Sequence, residues 1–249
     1  RVSTPGLVKQ AESHYRDKQA APDDACCRDF RQRYSREVEI HFIGVWDTVG
    51  ALGIPGTNFS EHGRYAWHDT ELSSIVRRAY QAVALDEHRK AYDVALWTHA
   101  RGQKKPGQQE VEQRWFIGAH ANGGGGYRVE GGGFAPLASL AYRWICDGAV
   151  AAGLSMFTPE PVADAHLAEP RDSYREFMRG FYRRYRSFRD RGGDGRHCRR
   201  FDHDHEGHPA VGVSVDPSVW QRWRGDSGYR PATLVRAGRL PPPQDPSTG

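Results

Sequence analysis

The segment that most restricts what this chain can fold into is Glu39-Ile40-His41-Phe42-Ile43-Gly44-Val45-Trp46-Asp47-Thr48. It reads as a short apolar strand that stops abruptly on an acid and a hydroxyl. A second stretch, Gln113-Arg114-Trp115-Phe116-Ile117-Gly118-Ala119-His120, repeats the plan and ends on a histidine before a glycine run. In parallel sheets, reactive groups gather at the carboxyl ends of strands. An aspartate at one such end and a histidine at a later one therefore suggest a charge-relay pair. No Gly-x-Ser-x-Gly turn precedes them.

A chain of 249 residues can bury one substantial core, so a single α/β domain is expected over two small ones. A hydrophobic content of 38% is low for a compact α/β protein and predicts long polar excursions around a modest core. The formal net charge of +4 is mild, with acids interspersed among mostly arginine cations, which argues against a nucleic-acid partner. Cys26, Cys27, Cys146 and Cys198 form no spaced framework, so reduced thiols are expected. No apolar run reaches the roughly 18–20 residues of a membrane span, and no signal peptide is visible. Arg1 opens the chain and the only methionines are Met156 and Met178, which predicts a piece of a longer protein.

Along the chain, residues 5–20 have helical spacing through Leu7, Val8, Ala11 and Tyr15. An amphipathic Arg/Tyr-rich piece leads into the first strand, and Gly50 to Gly56 follows it as a punctuated loop. Asp69 or Thr70 could cap a helix running through Ile75, Ala79, Val83 and Leu85. The strongest helical pattern is 135–153, where Leu137, Leu140, Ala141, Trp144, Ile145 and Ala149 share a face and Gly153 sits at the expected stop. Residues 170–190 form an Arg/Tyr/Phe-rich amphipathic segment, read as a core-facing helix ahead of a lid or membrane-surface element. The sequence divides into a domain over 1–236 and a Pro-rich tail over 237–249 whose composition predicts disorder.

Each candidate site residue has a plainer reading beside the functional one. Asp47 could orient an imidazole, or cap the next turn through its own backbone, and spacing alone slightly favours the cap. His120 sits between Gly118-Ala119 and Ala121-Asn122-Gly123-Gly124-Gly125-Gly126, small residues that leave an imidazole uncrowded, as a general base requires. The same glycines lack the Lys-Ser/Thr ending of a phosphate-binding loop. Asp86, Glu87 and Arg89 form a charged knot, read first as a structural ion-pair cluster and second as support for the catalytic loops, with Thr48 a further candidate. His197, Cys198, Asp202, His203, Asp204, His205 and His208 are metal ligands by type, but their spacing fits no structural zinc site. Gly225-Asp226-Ser227-Gly228 imitates a protease nucleophile motif and is read as a turn.

Together these residues resemble the catalytic α/β-hydrolase domain of type VI secretion phospholipase effectors. The resemblance rests on His41 through Gly53, on Ala84-Leu85-Asp86-Glu87-His88-Arg89, and on Trp115 through Tyr127. Asp216-Pro217-Ser218-Val219 with Arg222, and Tyr229-Arg230-Pro231-Ala232, look similar as well. It covers most of residues 5–236. One departure is Gly123, where relatives often carry valine.

The resemblance implies a mostly parallel, helix-flanked α/β-hydrolase-like sheet with Asp47 as triad acid and His120 as base. Its chain order, serine then acid then histidine, implies a serine on a Gly-x-Ser-Arg-Gly elbow upstream of Asp47. Pro5-Gly6-Leu7-Val8 looks like the end of the connection after that elbow, so the first strands and the nucleophile are expected to precede Arg1. By resemblance the substrate is a lipid or phospholipid ester, met at a membrane surface. No metal or organic cofactor is needed, and delivery and immunity partners are implied. The alternative is a catalytically inactive hydrolase fold that binds a partner, and a third is a metal-dependent hydrolase built on residues 197–208.

Overall fold

The computed structural model describes residues 5–17, 24–36, 38–49, 72–99, 102–127, 129, 135–184 and 194–243. Its centre is a four-stranded sheet in the order β1 (Ile40–Trp46), β2 (Val76–Ala84), β3 (Glu110–Phe116) and β4 (Val213–Val215). Every neighbouring pair is parallel, with Trp46 beside Ala82, Ala84 beside Phe116 and Trp115 beside Val215. All four carboxyl ends therefore lie along one edge of the sheet.

The two faces are covered differently. On one, Tyr80, Ala82 and Phe116 meet Ala141 and Ile145 of α4 (Pro136–Ala151). The helix starts on Pro136, whose missing N–H costs nothing at that position. It ends where Gly153, at φ +98°, lets its own amide reach Val150 O and the Leu154 amide reach Ala149 O, at 2.9 and 3.0 Å. Gly148 lies so close to β2 that a Cβ there would come within 2.4 Å of the Tyr80 ring. That small residue lets helix and sheet close together.

The opposite face is covered by irregular chain together with two short helices, Pro217–Gly225 and Ala232–Arg236. Val83 and Trp115 pack there against Leu96, Phe201, Val219, Trp223 and Leu234. Beside them Gln81 and Gln113 are completely buried. An irregular backbone laid over a sheet brings polar groups that no ladder can satisfy, and the two glutamines satisfy them. Gln113 Oε1 accepts from the Trp97 amide at 2.8 Å, while its Nε2 donates to Trp97 O and Val211 O at 2.9 and 2.8 Å. Gln81 Nε2 donates to Gln113 Oε1 and to Ala95 O at 2.9 and 3.1 Å, and its Oε1 accepts from the Thr48 amide at 3.2 Å.

Several expectations hold and some need correction. The strand ending at Trp46, the strand running into Phe116 and the helix over α4 are present. The helix expected through Ile75, Ala79, Val83 and Leu85 is instead β2, the central strand, buried from Ala79 to Ala84. A strand covered on both faces carries a near-continuous apolar run, in which four-residue spacing appears by accident. Asp69, Thr70 and the Gly50–Gly56 loop lie outside the described residues. The first helix, α1, is shorter than expected (Pro5–Arg16), and α2 spans Ala25–Tyr34. The 170–190 segment is not one helix: it breaks into Ser173–Glu176, a 3-10 turn Phe177–Gly180 and a helical piece over 181–184, with 185–193 outside the description. Tyr174 and Tyr182 are buried and meet edge to face at 5.9 Å, so the described part faces inward. Of the tail, 244–249 lie outside the described residues.

Gln113→Leu should destabilise the fold by about 2–4 kcal/mol, because it keeps the volume but leaves the Trp97 and Val211 backbone groups buried without partners. Urea unfolding followed by tryptophan fluorescence measures it, and a loss below about 0.5 kcal/mol would mean the glutamines do not hold the loops.

Candidate active site

Asp47 follows directly on the last residue of β1, with φ at +45°, a left-handed conformation that aspartate tolerates better than bulkier residues. Its amide donates to Ala82 O at 2.7 Å, which turns the side chain inward across the end of β2. The carboxylate is buried and receives four donors. Oδ1 accepts from the Ala84 amide at 2.9 Å and from Arg199 Nη1 at 2.6 Å. Oδ2 accepts from Arg199 Nη2 at 2.9 Å and from His120 Nδ1 at 2.7 Å. The donors come from three distant segments, so Asp47 is not a local cap.

Arg199 is itself fully buried, and Nη1 also donates to Ala84 O at 2.7 Å and Nη2 to Tyr92 O. Burial acts to raise the Asp47 pKa, but the Arg199 charge and the bonds from His120 and Arg199 outweigh it and hold the carboxyl down at about 2. An ionised Asp47 facing Nδ1 makes that nitrogen the donor, which leaves Nε2 as the basic atom of a neutral imidazole. The imidazole is about one-third exposed, at 32%, whereas the carboxylate is sealed off.

His120 opens α3 (His120–Gly123), one turn beyond β3. Three supports set that turn. Gly118, at φ +106°, approaches Asn122 so closely that a Cβ would sit 2.6 Å from Asn122 Cβ. Asn122 is buried and its Oδ1 accepts from the Ala119 amide at 3.0 Å. Asp86 Oδ2 accepts from the Gly118 amide at 2.7 Å and from the Tyr229 hydroxyl at 3.0 Å. Burial pushes the Asp86 carboxyl up, against the lowering effect of these two donors, and burial beside Asp86 keeps Tyr229 protonated as a donor.

Glu87 holds the other side of the turn. Its Oε2 accepts from the His120 amide at 3.2 Å and from Ser173 Oγ at 3.1 Å, while Arg89 donates to both oxygens at 2.7–2.8 Å. Burial would raise the Glu87 pKa, but Arg89 wins and holds it low. The Arg89 guanidinium in turn lies 3.7 Å from the Tyr92 ring centre, and Tyr92 meets the His120 ring at 5.2 Å. Asp86, Glu87 and Arg89 thus brace the loop that carries His120. Thr48 takes part through its backbone, its amide bonding Gln81 and its carbonyl accepting from the Ala95 amide at 2.7 Å.

The glycines shape the space in front. A cleft of about 420 Å³ is lined by Trp46, Gly123, Gly124, Gly125, Tyr127, Ala138 and Tyr142, between the end of β1 and the start of α4. Its lining includes Trp46, which precedes Asp47, and glycines that follow His120, though neither Asp47 nor His120 itself.

In the histidine-rich stretch 197–208 several imidazoles pair with carboxylates. His197 Nε2 lies 2.9 Å from Asp93, His203 Nδ1 lies 3.0 Å from Asp202, and His208 Nδ1 lies 3.0 Å from Asp204. What that stretch contributes is Arg199, which sequence reasoning missed. Only an arginine among polar neighbours marked it, 152 residues from its partner. Gly225-Asp226-Ser227-Gly228 is a turn, closed by Asp226 Oδ1 accepting from the Gly228 amide at 2.8 Å.

Because the folded pKa of Asp47 lies below its unfolded value, the bonds at Asp47 stabilise the fold above about pH 4. That contribution, about 2 kcal/mol, is lost as pH falls toward 2. Asp47→Asn should flatten this acid limb in urea titrations across pH 4.5 to about 2, and an unchanged limb would contradict the assignment. Arg199→Met leaves a buried carboxylate without its cation and should cost about 3–5 kcal/mol at neutral pH.

A family model described as "T6SS, Phospholipase effector Tle1-like, catalytic domain" matches residues 5–148, more than half of the chain. No curated protein matches it significantly. A crystal structure of an uncharacterized protein from Pseudomonas aeruginosa is similar at 17% identity and a TM-score of 0.36, covering 84% of this chain and 28% of that one. This chain therefore spans less than a third of that protein's length. Since the family match runs from α1 through most of α4 and takes in both Asp47 and His120, the chain belongs to the Tle1-like type VI secretion phospholipase effector catalytic domain family.

Proposed function

We propose that this chain carries the acid and base of a serine ester hydrolase of α/β-hydrolase type, acting on lipid or phospholipid esters. The observation that carries the reading is the 2.7 Å bond between Asp47 Oδ2 and His120 Nδ1, which joins the ends of two parallel strands beside an open cleft. Family membership supports the ester class, and the apolar and aromatic lining of Trp46, Tyr127 and Tyr142 suits an acyl chain.

In the proposed reaction His120 Nε2 takes the proton of a serine hydroxyl as that oxygen attacks the ester carbonyl. The imidazolium then protonates the departing alcohol, and a water deprotonated by the same nitrogen releases the acid. Asp47 keeps the ring in one tautomer and stabilises its charged form. Among the described residues no serine, threonine or cysteine side chain is hydrogen-bonded to His120. The reading therefore requires a hydroxyl from beyond the described residues, on a Gly-x-Ser-x-Gly elbow that these 249 residues do not contain. Delivery through a secretion apparatus and an immunity partner belong to the same proposal and rest on the family alone.

In the full-length protein, His120→Ala and Asp47→Asn should each lower kcat on phospholipid vesicles by about 10⁴-fold, with little change in KM. Activity within about tenfold of wild type in the His120 variant would sink the assignment. A fluorophosphonate probe should leave the isolated 249-residue chain unlabelled. Stoichiometric labelling of a serine within it would relocate the nucleophile.

A further inference from the structure

The amino-terminal helices carry a group of side chains unrelated to the Asp47–His120 site. α1 buries no side chain at all, and α2 buries only Cys27. A helix of this length without a buried face is marginal in water, so a cross-link to α2 would add to its order. At its carboxyl end His14 meets Phe30 of α2, ring centres 5.5 Å apart. At the other end of α2 lie the adjacent free cysteines, Cys26 exposed and Cys27 buried.

His14, Cys26 and Cys27 each present one ligand atom, all three within 4.8 Å of one another. The two sulfurs are 3.9 Å apart. Two thiolates bound to one tetrahedral Zn²⁺, at about 2.3 Å each, sit about 3.8 Å from each other. The sulfur pair is thus already spaced as two corners of such a site, and the imidazole needs only a side-chain adjustment to supply a third. Exposed Cys26 leaves the fourth position open to water.

We propose that His14, Cys26 and Cys27 form a zinc-class cation site that clips α1 to α2. The ligand set is soft and borderline, which selects Zn²⁺ and excludes Mg²⁺ and Ca²⁺, whose sites are built of oxygen. Both thiols give up their protons to solvent as the cation binds, so affinity falls with pH. The cation supplies the cross-link between helices that packing does not. It contributes to order at the amino terminus, with no part in the ester chemistry, and the proposal stands or falls apart from that reading.

The test uses the whole chain, reduced and stripped of metal, titrated with Co²⁺ and with Zn²⁺ in competition with a chromogenic chelator. One equivalent of Co²⁺ should give thiolate-to-metal charge-transfer bands and the intense visible bands of a tetrahedral ion. His14→Ala and Cys26→Ala, at sites outside the core, should each weaken Zn²⁺ binding by about a hundredfold. Cys198→Ser and His208→Ala should leave it unchanged. Zinc should also slow tryptic cleavage after Lys9 and Arg16 in the parent chain, and not in the His14 variant. Binding that survives Cys26→Ala, or that is lost with His208→Ala, would overturn the proposal. So would thiolate bands with no protection of α1.

Discussion

The buried pair of Asp47 and Arg199 is the interaction on which the rest of this site depends. A carboxylate sealed from water at the end of a strand would otherwise take up a proton, and a neutral acid could not hold an imidazole through an ionic bond. Arg199 maintains the charge down to about pH 2, because a guanidinium does not lose its proton as pH changes. The bidentate geometry also fixes direction. With two oxygens committed to a planar fork and to the Ala84 amide, only one lone-pair direction of Oδ2 remains, and His120 lies along it.

The position of that arginine follows from how the sheet is covered. One face receives α4, a regular helix whose small residues allow close approach. The other receives two short helices and long stretches of irregular chain, and irregular chain brings backbone groups into the core. Gln81 and Gln113 act as fixed adaptors for those groups, and they do so from the central strands. The polar composition noted in the sequence is thus not a lack of core. It is the means by which loops from 93–99 and 196–211 are laid against a sheet without unsatisfied amides. The low hydrophobic fraction and the buried glutamines are one fact seen at two levels.

What could be read in the sequence was what depends on near neighbours. β1 and β3 announced themselves by apolar runs that stop at Asp47 and before His120, and α4 by its stripe and its terminal glycine. β2 was misread because a strand buried on both faces has no two-residue alternation to show. Its Ile75, Ala79 and Val83 spacing imitated a helix, and only pairing with β1 and β3 decides the matter. The charged knot at Asp86–Arg89 was legible as an ion-pair cluster, yet which backbone it held was not, since Gly118, His120 and Tyr229 are far along the chain. Arg199 was not legible at all. Nothing in a run of histidines and aspartates distinguishes the one arginine that turns inward.

That last point bears on where the functional unit ends. The family match stops at residue 148, which takes in Asp47, His120 and the glycine turn. The physical site does not stop there. Arg199 sets the ionisation of Asp47, Ser173 and Tyr229 complete the hydrogen bonding of Glu87 and Asp86, and Arg222 lies 4.9 Å from the Tyr229 ring while bonding Ala168 O at 2.5 Å. Arg199, Ser173 and Tyr229 act on residues inside the matched span from outside it, and Arg222 packs on Tyr229. A piece cut at 148 would keep Asp47 and His120 and remove the charge that makes Asp47 an anion, together with the donor that satisfies Asp86. It would leave Asp47 without its cation and Asp86 with the Gly118 amide alone, each loss costing more than a lost surface contact. The distal third of the chain is therefore part of the site, and the Asp47–His120 pair is a property of the whole sheet with its cover.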